Sequence, residues 1–331
     1  MMFSKVCIYG VGAIGGWMGA RVGQLAGVQL SLVARGDTLR ALQQHGLRLH
    51  SAGATHTVAA QASSDPAELG VQDLVVVAVK APALPEVARH MAPLIGPHTA
   101  VLTAMNGVPW WFLQQFGGAY ANTALRSVDA DGHIARAIPA QHVLGGVVHA
   151  SCSLRAPGEV DHHFGNGLIV GEPSGSLSAR GEALHAMLAE AGFDARLSPH
   201  IQKDIWYKLW GNMSVNPISA LTGATTDKIM DDPLVRGFIS SVMLEAKEIG
   251  ARIGLAIDQQ PEDRHAVTRQ LGAFKTSMLQ DVQAHRAVEL DALVGAVREL
   301  GQITGVATPF TDALMGLARL QAQGLGLYPA T

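Results

Sequence analysis

Six residues near the start of the chain, Gly10-Val11-Gly12-Ala13-Ile14-Gly15, constrain the fold more than any others. They follow the apolar run Val6–Tyr9 directly and open a stretch of helical character. Strand, glycine turn and helix in that order make the first unit of a dinucleotide-binding domain. The first glycine permits a tight turn and the second lets the backbone approach a pyrophosphate. The third lets helix and strand pack closely, while the helix N-terminus faces the anion. Gly10, Val11, Gly12, Ala13, Ile14 and Gly15 are therefore candidate cofactor contacts.

The second strand candidate, Gln29–Ala34, ends at Arg35-Gly36-Asp37, about 25 residues after the turn, where such folds read the ribose. A carboxylate there would accept the 2′-hydroxyl of NAD, whereas arginine suits a 2′-phosphate. Arg35 favours NADP(H). Asp37 is the competing feature, unless it caps a helix beginning near Thr38. Lys80 and Asn106 follow the next two strand candidates, Asp73–Val79 and Ala100–Ala104, at the carboxyl ends where open α/β sheets bind ligands. Equally, Lys80 could be a solvated loop cation and Asn106-Gly107 a simple turn.

Helical stretches at Ile14–Leu25 and Pro85–Leu94 alternate with these strands, the pattern of a parallel sheet. β-prone runs at Val143–Ser153 and Leu168–Val170 read as antiparallel hairpins added to the sheet edge. From about His200 onward, three-to-four-residue apolar spacing takes over at Trp206–Leu221, Pro233–Arg252, Pro261–Val282, Val288–Thr304 and Thr311–Gln323. The reading is an α/β Rossmann-type domain at residues 1–198 and an all-α domain at 199–331, closing in a frayed tail over Gly324–Thr331. The chain's 331 residues are enough for two cores.

Lys+Arg number 24 against 27 Asp+Glu, too balanced for a protein that neutralises nucleic-acid phosphates. Cys7 and Cys152 are the only cysteines, which excludes a disulfide framework and fits a reducing compartment. Five glycines between Gly10 and Gly19 interrupt the one stretch resembling a secretory leader. No apolar run reaches the ~18–20 residues of a membrane span. A soluble cytoplasmic enzyme without membrane or nucleic-acid partners is expected. None of the 14 histidines is paired at metal-binding helical spacing with an acidic neighbour, so no metal site is expected.

In the helical half, Lys208, Asn212 and Asn216 recur at i, i+4 and i+8, spreading over only about 80° of one helix face. Their apolar neighbours make this either an exposed stripe or the polar wall of a substrate pocket with Lys208 as proton donor. Pro217 is expected to bend the helix just after Asn216. Further on, Ser277 and Glu289 would lie about 18 Å apart on one straight helix. Sharing one small substrate demands a break near Ala284–Ala287, though no proline or glycine marks it.

Together these residues resemble the ketopantoate reductase family (2-dehydropantoate 2-reductase). The resemblance rests on the glycine turn, Lys80, Asn106-Gly107, the Lys-x3-Asn-x3-Asn-Pro run Lys208–Pro217, and Ser277-Met-Leu-Gln-Asp with Glu289-Leu-Asp291. It implies a helical second domain like that of 6-phosphogluconate dehydrogenase and an active site in the cleft between domains. It also implies NADPH-dependent reduction of ketopantoate to pantoate, in pantothenate and coenzyme A biosynthesis. By position, Lys208 matches the general acid and Glu289 a catalytic carboxylate. Asn106, Asn212, Asn216 and Ser277 match substrate contacts, with Asn106 also at the nicotinamide. Gly10–Gly15, Arg35 and Lys80 match cofactor contacts. The run Val108-Pro109-Trp110-Trp111-Phe112 is bulkier than the family's small continuation. It leaves open a larger 2-oxo acid as substrate, if those rings line the cleft rather than pack inside. A non-catalytic NADP-binding protein is the other alternative, and apolar helices leave room for a homodimer.

Overall fold

The computed structural model describes residues 3–329. Two compact units divide the chain. One runs up to Met105 and resumes over Gly132–Asp204; the other takes Asn106–Asp131 and the chain from Ile205 onward.

The first unit opens with β1 (Lys5–Tyr9), α1 (Ala13–Val22), β2 (Gln29–Val33) and α2 (Gly36–His45). A hairpin of β3 (Leu47–Ser51) and β4 (Ala54–Val58) follows, then β5 (Gln61–Ser63), β6 (Leu74–Val77), α3 (Leu84–His90) and β7 (Ala100–Thr103). After the excursion come α4 (His133–Ala137), β8 (Val143–Ala156), β9 (Glu159–Gly171), α5 (Ala179–Glu190) and β10 (Asp194–Leu197). The sheet order is β4-β3-β9-β8-β7-β6-β1-β2-β5, with β10 also beside β9. From β7 to β5 every pairing is parallel. The chain leaves β1 for β2 on one side and returns to β6 on the other, so the carboxyl end of β1 is a topological switch point, where such sheets bind ligands. This is the expected Rossmann-like arrangement.

The β8–β9 hairpin is not an edge addition, as the sequence suggests. β8 joins β7 in parallel, and β9 carries β3 along one part of its length and β10 along another. Strands of 14 and 13 residues offer more backbone than one neighbour can pair. Register shifts from His149 to Ala156 bend the hairpin. α1 packs tightly against this sheet: a Cβ on Gly16 would stand 2.6 Å from Val160, and one on Gly19 would stand 2.9 Å from Ile8. The adjacent Trp17 is fully buried, stacked on His162 and edge-on to Phe193.

The second unit holds most of α6 (Ile201–Thr222), then α7 (Thr226–Asp231), α8 (Pro233–Arg252), α9 (Pro261–Arg269), α10 (Ser277–Gln283), α11 (Ala296–Thr304) and α12 (Pro309–Gly324). α6 carries on through Pro217 to Thr222, so the proline removes one backbone donor without ending the helix. Residues 106–131 pack within this unit. Trp111 and Phe112 are fully buried, and the Phe112 ring lies 6.0 Å from Trp206. Glu299 of α11 accepts the backbone N–H groups of Arg126 and Ser127 at 2.7 and 2.8 Å.

The tail is not frayed within the described residues. Gly324 ends α12, Leu327 is buried, its carbonyl accepts from Val288 N–H, and Tyr328 donates to Asp291 at 2.6 Å. Ala330 and Thr331 of the expected tail lie outside the described residues. No helix among the described residues is long and apolar enough to cross a membrane.

Candidate active site

In the first unit, Gly10 has φ +97°, and a Cβ there would stand 2.5 Å from the Val79 side chain, so only glycine fits. A Cβ on Gly15 would stand 2.1 Å from the Gly10 carbonyl oxygen, so the turn and helix close on each other. Gly12 is different: a Cβ there would meet nothing within 4 Å. The space above Gly12 is one the protein itself does not fill. Val11 lies between them, and Ala13 and Ile14 begin α1, whose N-terminus has no side-chain cap and no acidic residue in its first turn. Its leading N–H groups remain for an anion.

Arg35 stands at the end of β2 with extended backbone and pairs with Glu86 at 2.5 Å, both side chains exposed. α2 begins at Gly36, and the Asp37 carboxylate in its first turn pairs with Arg40. Asp37 is therefore engaged on its own helix. Lys80 has extended backbone and leads into the tight turn Ala81–Ala83 beyond β6.

In the second unit, the Lys208 ammonium on α6 donates to Asn106 Oδ1 at 2.9 Å. Burial lowers the Lys208 pKa to about 8, Glu289 counteracts it, and Arg264 pushes it the same way as burial. Asn212 is half-buried and Asn216 buried on the same helix. Asn106 is held by the residues after it: Gly107 has φ +82°, and a Cβ there would lie 2.6 Å from the Ala292 carbonyl oxygen. Val108 N–H donates to that same oxygen at 2.8 Å. Asn106-Gly107 is thus a close approach to the segment after Glu289 as well as a turn.

The break that Ser277 and Glu289 require is present. α10 ends at Gln283, and His285 takes φ +50°. Arg286 then doubles back, its backbone N–H donating to the Asp281 carbonyl and its Nε to the Asp281 carboxylate at 3.1 Å. The Asp281–Arg286 pair does the work that proline or glycine does elsewhere. Glu289 is buried just before a wide π turn at Asp291–Gly295. Ser277 is half-buried as the first residue of α10, capped by Thr276. No hydrogen bond among the described residues joins Ser277 to Lys208, Asn106 or Glu289. Lys208, Asn106 and Glu289 thus come together, with Asn212 and Asn216 along the helix.

One neighbour escaped the sequence reading. Arg264 on α9 lies against Gly211, where a Cβ would stand 2.5 Å from its Nε. A glycine inside a good helix is the signal that could have found it, since it costs about 1 kcal/mol and marks a close approach.

A switch-point glycine turn, and elsewhere a buried lysine tuned by one carboxylate, are the equipment of a two-domain oxidoreductase. The chain belongs to the ketopantoate reductase family. The family model described as "Ketopantoate reductase PanE/ApbA" matches residues 6–175, and its "C terminal" companion matches 200–322. A 2-dehydropantoate 2-reductase of Mesorhizobium japonicum is 42% identical, covering 98% of this chain and 99% of its own. The crystal structure of a candidate ketopantoate reductase from Ralstonia solanacearum MolK2 is 56% identical with TM-score 0.95, covering 98% of this chain and 100% of that one. That of 2-dehydropantoate 2-reductase from Methylococcus capsulatus is 25% identical with TM-score 0.82, covering 97% of each.

Proposed function

We propose that the protein reduces the C2 ketone of ketopantoate to the alcohol of pantoate with NADPH, as a cytoplasmic step of pantothenate and coenzyme A synthesis. The observation that carries this reading is the Lys208–Asn106 hydrogen bond at 2.9 Å beside buried Glu289. A bound nicotinamide supplies hydride to the substrate carbon. Negative charge then grows on the carbonyl oxygen, and Lys208 donates its proton there. Its pKa of about 8 suits this role, because an acid near the working pH gives up its proton readily while remaining mostly charged. Glu289 keeps the amine protonated and Asn106 fixes its direction.

Asn212 and Asn216 hold the substrate hydroxyl without adding charge, and Ser277 contacts the substrate carboxylate. The Gly10–Gly15 turn fits a pyrophosphate because Gly12 keeps open a space the chain does not use. Arg35 and Lys80 read the 2′-phosphate and the rest of the nucleotide. Nucleotide binding is assigned to residues 1–198 and catalysis to 199–331, with Asn106 serving the latter. The bulkier-substrate alternative rests on Trp110 and Trp111. Trp110 is 3% exposed and Trp111 fully buried, which favours a packing role.

The test follows NADPH oxidation with ketopantoate beside bulkier 2-oxo acids, using wild type and Lys208→Ala. The expected result is turnover of ketopantoate that falls ~10²–10⁴-fold in the variant. Turnover of bulkier acids alone would overturn the substrate, and binding of NADPH without any turnover would overturn the enzyme.

A further inference from the structure

Arg264 has the features of a ligand-binding cation that the reaction described above does not use. Its Nε is buried without a hydrogen-bond partner, and no carboxylate among the described residues forms an ion pair with it. Its guanidinium lies over the Tyr207 ring at 5.4 Å and packs on the bare backbone of Gly211, with Nε and Nη2 2.5 and 2.9 Å from the position of a Cβ there. At 100° per residue, Gly211 lies about 60° to one side of Lys208 on α6, while Asn212 and Asn216 lie about 40° and 80° to the other. Arg264 thus borders the polar face opposite the amides.

The charges make the same point. Lys208 and Arg264 are cations acting on each other, and Glu289 is the carboxylate whose charge acts on Lys208. This leaves one positive charge to be matched. A 2-oxo acid brings one negative charge, on a planar carboxylate that suits the guanidinium fork.

We propose that Arg264 binds the carboxylate of the 2-oxo acid and makes the enzyme selective for acids over their neutral esters and lactones. Gly211 gives the guanidinium its place and Tyr207 holds it flat. The inference rests on the reductase reading above.

The experiment compares kcat/KM for ketopantoate and for its neutral lactone in wild type, Arg264→Gln and Arg264→Lys. Arg264→Gln is expected to raise KM for the acid about 10- to 100-fold, the worth of a lost charge-assisted hydrogen bond. Read at a pH below the Lys208 pKa, its kcat/KM for the lactone should fall at least about tenfold less than that for the acid, because the lactone carries no charge for Arg264 to bind. Its affinity for NADPH should stay within about threefold of wild type. Arg264→Lys should fall between, since it keeps the charge but not the fork. An equal loss on acid and lactone in both variants would make Arg264 a structural residue and overturn the proposal, as would an unchanged acid-to-lactone ratio. Should Arg264→Gln fail to fold, the ratio in Arg264→Lys decides alone. Wild type inactive on every 2-oxo acid would instead overturn the reductase reading itself.

Discussion

Lys208 titrates in a range where activity can report on it. A proton donor must be charged, and burial brings its pKa down to about 8. The rate of ketone reduction is therefore expected to be level below that value and to fall tenfold per pH unit above it; alcohol oxidation should rise over the same range. The groups acting on the amine set the position of this limb. Glu289→Gln removes the charge that raises the pKa, so the limb moves to lower pH; loss of Arg264 moves it higher. Pre-steady-state rates across pH for the three proteins check both signs. If Arg35 holds the 2′-phosphate as proposed, Arg35→Ser should cost about tenfold or more in preference for NADPH over NADH, measured by kcat/KM. The Lys208, Asn212 and Asn216 face was legible because helical spacing is local. Glu289 was legible only through family resemblance, since its place depends on a turn closed by Asp281 and Arg286. Arg264 left only an indirect mark, the mid-helix Gly211, for its counterpart on α6 is an absent side chain.

Among the elements, the stretch from Val288 to Gly295 is fixed from two directions. Val108 binds Ala292 from one, and Leu327 and Tyr328 bind Val288 and Asp291 from the other. Burial raises the Asp291 pKa, and the Tyr328 hydroxyl opposes that shift. Tyr328→Phe removes the donor and leaves a buried carboxylate short of a partner, at a cost of about 1–3 kcal/mol. A lower Tm and a fall in kcat exceeding any rise in KM are expected, because Glu289 lies inside the stretch so held. Gly107→Ala meets both a left-handed backbone and a 2.6 Å overlap, so a loss of more than about 2 kcal/mol is expected in denaturant unfolding. The sequence misjudged the tail because glycine-rich ends usually fray, whereas Leu327 finds an apolar site. It gave no sign of the β3–β4 hairpin or of β10. Their short runs acquire strand character from pairing with each other and with β9.

At the scale of the whole molecule, Leu234 on α8 and Leu317 and Leu320 on α12 are 84%, 61% and 69% exposed. These helices touch through Phe238 and Phe310, whose rings are 6.0 Å apart. Exposed leucines on two helices that touch are candidates for burial against a second copy of the chain. A homodimer is expected in light scattering, converting to monomer in the Leu317→Glu/Leu320→Glu double variant. The parallel sheet and the helical half were legible from periodicity, which changes near residue 200. The departure of residues 106–131 into the second unit was not, since that segment has no period of its own and draws its order from Trp206 and Glu299. During synthesis this order carries a penalty. Asn106, Trp111 and Phe112 leave the ribosome about a hundred residues before Trp206 and Lys208 exist to receive them, so the nascent chain must carry an apolar loop without its final shelter. A gene fragment encoding 199–331 alone would lack that loop, and its product should need the missing peptide added back to become protease-resistant.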